Sequence, residues 1–145
     1  MIQGINHIGI STGDLDRSLA FYRDLIGMEV LGSAKFEGEV YENITSLKDT
    51  HGRAAMLGIG NTHIELFEFD NPQVKVGDPA RPVCDHGITH ICFEVADVHQ
   101  EYERLKAAGV NFHSPPQCFG EAKATYGRDP DGNVFELLQM KCTNH

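Results

Sequence analysis

The sequence predicts an α+β fold of two tandem βαβββ modules. Three observations predict it. The pentapeptide Gly4-Ile5-Asn6-His7-Ile8 returns 83 residues later as Gly87-Ile88-Thr89-His90-Ile91, identical at four of five positions. The offset of 83 persists through Asp14/Asp97, Leu15/Val98, Leu19/Tyr102 and Tyr22/Leu105, and becomes 82 at Gly27/Gly109. Each copy passes from an alternating β-branched stretch into a helical period and then into further alternating stretches. An internal repeat of this length sets the architecture before any local assignment does.

In the first module, Gly4 to Thr12 alternates as a strand, with Ile8 and Ile10 on one face and Ile5, His7, Gly9 and Ser11 on the other. Asp14 is placed to cap a helix whose apolar stripe is Leu15, Leu19, Tyr22 and Ile26, and Gly27 sits where a glycine ends it. A second strand begins at Met28–Leu31. Residues 33–69 read as a β meander, with strands at Glu39–Leu47, Arg53–Ile59 and His63–Phe69 and turn signals at 49–52 and at Gly60-Asn61.

Residues 71–86 hold three of the six prolines and no periodicity, so they form a linker between module one (2–70) and module two (87–141) of one 145-residue domain. In module two, Ile88–Val95 is a strand and Asp97 caps a helix, with Gln100 as its capping-box partner. Val98, Tyr102, Leu105 and Ala108 form that helix's apolar stripe, and Gly109 ends it. Strands follow at Val110–His113, Glu121–Arg128 and Val134–Met140, separated by Pro115-Pro116 and by the Asp129-Pro130-Asp131-Gly132-Asn133 turn.

Composition excludes several functions. The formal charge is −9 and no Lys/Arg cluster occurs, which argues against nucleic acid and against an anionic membrane surface. No apolar run approaches the ~18–20 residues of a membrane span, so a cytoplasmic protein is expected. The four cysteines, Cys84, Cys92, Cys118 and Cys142, show no C-x-x-C pair and no zinc spacing, and read as reduced thiols.

The helix of each module must cover one sheet face. Its partners are Ile8, Ile10, Ile64 and Leu66 in module one, and Ile91, Phe93, Phe135 and Leu137 in module two. The opposite face carries His7 and Glu65 in one copy, His90 and Glu136 in the other. Each glutamate strand follows a Gly-Asn, at Gly60-Asn61 and Gly132-Asn133. An imidazole or carboxylate in mid-strand is costly where that face is buried and unpaired. Any one of the four alone would be an ordinary polar residue. Tied together by the repeat, they point to one divalent metal shared by both modules. The remaining histidines, His51, His63, His86, His99, His113 and His145, have no such support. Phe67, Phe69, Phe119, Tyr126 and Met56 are candidates to shape a pocket. Gly120 to Gly127 is a candidate cover, and Arg128 and Lys123 are candidate holders of a substrate carboxylate.

Three motifs carry a family resemblance. They are Asn6-His7-Ile8-Gly9-Ile10, the stretch from Asp14 to Met28 (DLDRSLAFYRDLIGM), and the stretch from Asp129 to Leu137 (DPDGNVFEL). With the paired modules, they resemble the vicinal oxygen chelate superfamily, which includes glyoxalase I, methylmalonyl-CoA epimerase, extradiol dioxygenases, and fosfomycin and bleomycin resistance proteins. The resemblance implies a curved, half-barrel-like mixed β-sheet with helices outside, a homodimer, and a small-molecule substrate. It implies His7, Glu65, His90 and Glu136 as ligands of one divalent ion: Ni, Co, Zn, Mn or Fe. The ligand order is similar to glyoxalase I, a lyase or isomerase that stabilises an enediolate, with Glu136 and Glu65 as candidate catalytic proton carriers, Glu136 favoured. Ser11 stands where bacterial-type glyoxalase I carries an arginine that helps hold glutathione, and Glu68 and Asp70 add acidity nearby. Glu65 stands where the epimerases often carry glutamine. Two other readings stay open: an Fe(II) extradiol-type dioxygenase using His7, His90 and Glu136, and a ligand-sequestering binding protein.

Overall fold

In a computed structural model of the chain, which describes residues 1–141, two compact units appear, Met1–Val76 and Gly77–His145. Each is an open, mixed four-stranded sheet with its helix packed on one face, as the tandem modules require. Cys142 and His145 lie outside the described residues; Cys84, Cys92 and Cys118 are in the thiol form.

Unit one runs β1 (Ile8–Ser11), α1 (Leu15–Leu19) with a π-helical continuation (Ala20–Leu25), β2 (Glu29–Glu37), α2 (Glu39–Thr45), β3 (His51–Ile59) and β4 (Thr62–Asn71). The sheet order is β1-β4-β3-β2, with β1 parallel to β4 and the remaining pairs antiparallel. Asp14 caps α1 by accepting from the Arg17 N–H at 3.0 Å. The core between helix and sheet contains Ile10, Leu15, Phe21, Tyr22, Met28, Ala55, Leu57, Ile64 and Leu66. The π-helical stretch alters the expected stripe: Phe21 and Tyr22 are buried, while Leu19 and Ile26 are only partly covered. Its wide winding takes up one extra residue, marked by the Ile26 N–H donating to the Phe21 carbonyl five residues back at 2.9 Å. This is the residue by which the repeat offset falls from 83 to 82.

The expected strand at Glu39–Leu47 is instead the short helix α2. The β-branched residues Val40, Ile44 and Thr45 favour a strand, but Val40 and Ile44 stand at helical spacing and this segment buries none of its residues, so no sheet face selects a strand period. Gly38 starts the helix, and Glu39 and Glu42 lie in its first turn, where a carboxylate meets the positive end of the helix dipole. Without this segment the module has four strands and is a βαβββ unit with one inserted helix.

Unit two runs β5 (Ile91–Glu94), α3 (Val98–Ala107), β6 (Gln117–Phe119), β7 (Ala122–Arg128) and β8 (Val134–Met140), in sheet order β5-β8-β7-β6 with β5 parallel to β8. Asp97 caps α3, accepting from the N–H groups of His99 and Gln100, each at 3.0 Å. Val98, Tyr102 and Leu105 pack on Val134, Phe135 and Leu137 to form the core. Gly27 and Gly109 end their helices with φ of 90° and 93°, the left-handed region where a side chain is strained.

The expected strand at Val110–His113 is reduced to a single bridge, Phe112 to Gly127. The His113 N–H reaches the Tyr126 carbonyl at 2.8 Å, after which Pro115 and Pro116 remove the donors a ladder needs. The fourth strand of the sheet resumes at β6. The stretch from Gly120 to Gly127 is not a cover: most of it is β7, with Ala122, Ala124 and Thr125 buried. Among the described residues no helix is long and apolar enough to cross a membrane.

Candidate metal centre

His7 and His90 sit immediately before β1 and β5, one residue outside the strands in which the sequence places them. Each strand then runs parallel to its glutamate strand, with Gly9 opposite Glu65 and Cys92 opposite Glu136. This register aims the imidazole and the carboxylate at one another. His7 Nε2 lies 3.1 Å from Glu65 Oε2, and His90 Nε2 lies 2.9 Å from Glu136 Oε2. The structure thus brings the four predicted residues together as two pairs, each within its own unit. Among the described residues it forms no cluster of three or more His, Cys, Asp or Glu side chains placed to hold a metal ion.

What holds each imidazole is the residue just before it. His7 Nδ1 is 2.8 Å from Asn6 Oδ1, and His90 Nδ1 is 2.9 Å from Thr89 Oγ1. Asn6 and Thr89 were missed as site residues. The signal was present: they occupy the one position at which the repeated pentapeptides differ, and both are hydrogen-bonding side chains. Because Asn6 Oδ1 accepts, the His7 Nδ1 side donates to it and Nε2 faces the Glu65 carboxylate. Two electron-rich atoms 3.1 Å apart require a proton or a cation between them. Fixing Nδ1 by a neighbouring oxygen so that Nε2 is available is also how proteins orient metal-ligating histidines. The donor set therefore fits a divalent ion.

The strands after the glutamates tie each helix to its sheet. The Leu15 N–H donates to Glu68 Oε2 at 2.6 Å, and the Val98 N–H donates to Gln139 Oε1 at 3.0 Å. Both acceptors lie three residues beyond the pair's glutamate. Glu68 also accepts from Arg53, at 3.1 Å from Nε and 2.8 Å from Nη2. Its charge is thus committed to α1 and Arg53, which corrects the expectation of free acidity at Glu68; Asp70 is exposed.

Around the second pair, the Tyr126 ring lies 4.8 Å from the His90 ring, and Tyr126 is the cross-strand partner of Glu136. Desolvation and the Glu136 charge push the Tyr126 phenol up. Desolvation first, and then Glu136, push the Cys92 thiol up to about 12. Met56 occupies the corresponding place opposite Glu65. Arg128 is no free holder of a carboxylate: its guanidinium donates to the carbonyls of Pro79, Arg81 and Gly132 and to His113 Nε2. Desolvation and the Arg128 charge hold the His113 imidazole below its usual range. Lys123 pairs across the ladder with Gln139, the residue tied to α3, and so shares the face turned toward the helix. His63 hydrogen-bonds the Asn6 carbonyl through Nδ1 at 3.3 Å.

The chain is also similar to known proteins. The model of the Glyoxalase/Bleomycin resistance protein/Dioxygenase superfamily matches residues 4–137. The chain is 32% identical to a lactoylglutathione lyase of Pseudomonas aeruginosa, over 92% of this chain and 81% of that protein. It is also 32% identical to an ethylmalonyl-CoA/methylmalonyl-CoA epimerase of Cereibacter sphaeroides, over 97% of this chain and 100% of that one. A glyoxalase family protein of Bacillus cereus shares the fold, with a TM-score of 0.89 and 24% identity over 98% of this chain and 97% of that one.

Proposed function

The chain belongs to the glyoxalase/bleomycin resistance protein/dioxygenase superfamily, and from that premise we propose that it is a metal-dependent lyase or isomerase of the glyoxalase I type. His7, Glu65, His90 and Glu136 hold one divalent ion, within one chain or across a homodimer. The substrate is a small carbonyl compound with oxygens on adjacent carbons. The observation that carries the reading is the repeated opposition of an imidazole Nε2 and a carboxylate, at 3.1 Å and 2.9 Å, in equivalent places of the two units.

When bound, the ion supplies Lewis acidity toward the two substrate oxygens. Nickel, cobalt, zinc, manganese and iron(II) all suit two imidazoles and two carboxylates. Asn6 and Thr89 hold the imidazoles in place. Glu136 takes the proton from the carbon beside the carbonyl, and the electron pair of that C–H bond passes into the enediolate. The same carboxyl then returns the proton to the former carbonyl carbon, while the hydroxyl proton passes to the oxygen on that carbon, so that carbonyl and carbinol exchange places. Glu136 is preferred to Glu65 because its side chain is 12% exposed against 25%, and water competes less for it.

Metal analysis tests the site. Protein purified without chelator is expected to hold stoichiometric divalent metal, and Glu65→Gln is expected to weaken that affinity by at least about tenfold. Failure to hold or take up any such ion would sink the proposal. With metal bound, isomerisation of a hemithioacetal is the next measurement. Zero turnover with all five metals removes the glyoxalase I assignment and leaves the superfamily membership standing. Oxygen uptake with catechols under Fe(II) would instead favour the dioxygenase.

A further inference from the structure

Resting on the metal-dependent reading above, we propose that the part of the substrate beyond its chelating oxygens is an uncharged aromatic ring, seated against Phe67 on the Glu65 face of unit one. Strand register gives the composition of that face. Glu65 has Gly9 on one side and Met56 on the other. Phe67 has Ser11 on one side, then Ala54 and Ala34 on the other. Phe69 has Gly52 and then Phe36. Small residues thus form a floor from which a few aromatic side chains rise. Phe67 and Phe69 are stacked with centroids 6.0 Å apart, and the Phe36 ring meets them at 5.7 and 5.2 Å. At Gly52 a Cβ would stand 2.9 Å from Phe36 Cζ, so that ring lies directly on bare backbone. The inserted helix α2 adds Tyr41, 5.5 Å from Phe36. Phe36 is buried, whereas Phe67, Met56 and Glu65 are half-buried and Ala34 is exposed. The aromatic wall therefore ends in open apolar surface beside the His7–Glu65 pair.

Charge points the same way. The four strands of unit one carry two cations, Lys35 and Arg53, and these are cross-strand partners. Arg53 bonds Glu68 and reaches Asp16 of α1 at 3.6 Å, which places both cations on the face toward α1. The strands place no Lys or Arg on the Glu65 face to meet a phosphonate, a phosphate or a free carboxylate; the imidazoles there, His7 and His63, are engaged with Glu65 and with the Asn6 carbonyl, and a buried anion without a partner is costly. An aromatic ring meets its preferred surroundings there: ring faces and edges at 5–6 Å, with small residues beneath.

The test uses metal-loaded protein and two chelators with the same oxygen pair, benzohydroxamate and acetohydroxamate, titrated by calorimetry. Half-burial of a phenyl ring against Phe67 corresponds to about tenfold tighter binding of the benzo compound. Phe67→Leu is expected to cut that advantage several-fold, while Val76→Ala, at an exposed position beyond β4, leaves it in place. Met56 methyl NMR in metal-free protein provides a second measurement: benzamide is expected to shift the Met56 signal and not that of buried Met28. Equal affinities in protein that holds metal would overturn the aromatic assignment and leave the metal reading standing. No metal uptake, with Met56 still shifted by benzamide, would overturn the metal reading and keep the aromatic seat. Neither effect would overturn both.

Discussion

The two units are copies of one plan, and they differ where they are least alike in function. In unit one the glutamate is flanked by Gly9 and Met56; in unit two by Cys92 and Tyr126. Unit one has the inserted helix, the π-helical turn and a wall of phenylalanines. Unit two has a regular α3 and an aromatic ring against its histidine. What both keep is the imidazole–carboxylate pair and the bond from the strand beyond it to the helix N-terminus. Under the proposed function, the shared geometry suits one chemical task and the divergent surroundings suit unequal roles, unit one seating substrate and unit two moving the proton.

The largest expected effect tests that division. Glu136→Gln is expected to reduce turnover by about a thousandfold or more with metal still bound, and Glu65→Gln to act mainly by loosening the metal. Steady-state kinetics on metal-saturated variants decides it; equal losses of turnover in both would erase the asymmetry. Next come the equivalent core residues Leu66 and Leu137, at 0% and 2% exposure. Each →Ala change is expected to cost about 2–5 kcal/mol in urea unfolding. A cost confined to one of them would show that the units do not share a common packing plan.

The helix ties are expected to differ by less. Gln139→Ala removes one bond to the Val98 N–H and is expected to cost about 1 kcal/mol. Glu68→Ala also removes the bonds from Arg53, which keeps its contact with Asp16, and is expected to cost more than Gln139→Ala, a gap that salt narrows. The smallest effect concerns Cys92, whose counterpart in unit one is Gly9. A folded thiol near 12 keeps its proton where an unfolded cysteine, near 9.0, has released it. Unfolding therefore releases a proton between these values, and stability falls as pH rises above 9.0. In chelator-treated protein, iodoacetamide should label Cys92 more slowly than Cys84 at pH 8, and Glu136→Gln should narrow the difference.

Much of this was legible in the sequence because the repeat supplied a second witness to each inference. Asp14 and Asp97 as caps, Gly27 and Gly109 as stops, and Ile64, Leu66, Phe135 and Leu137 as core all hold. Where the copies part, local pattern misled. Segment 39–47 has no counterpart in unit two, and its β-branched residues lost to a helix that no sheet face opposed. Val110–His113 was misread because strand period alone does not show where two prolines end a ladder. The pairing of the four site residues followed from face and register. The partners of Glu68 and Arg128 did not, since contacts across 53 and 47 positions leave no periodic trace.

The π-helical turn has one more implication. The repeat keeps its spacing from β1 through the first turns of the helix, then gains a residue just before Gly27. That point lies downstream of the Leu15–Glu68 tie, which pins the helix start to the strand bearing Glu65. A change of chain length there is absorbed like slack in a rope beyond its knot. This seam lets such a chain lengthen or shorten without disturbing the alignment of His7 with Glu65.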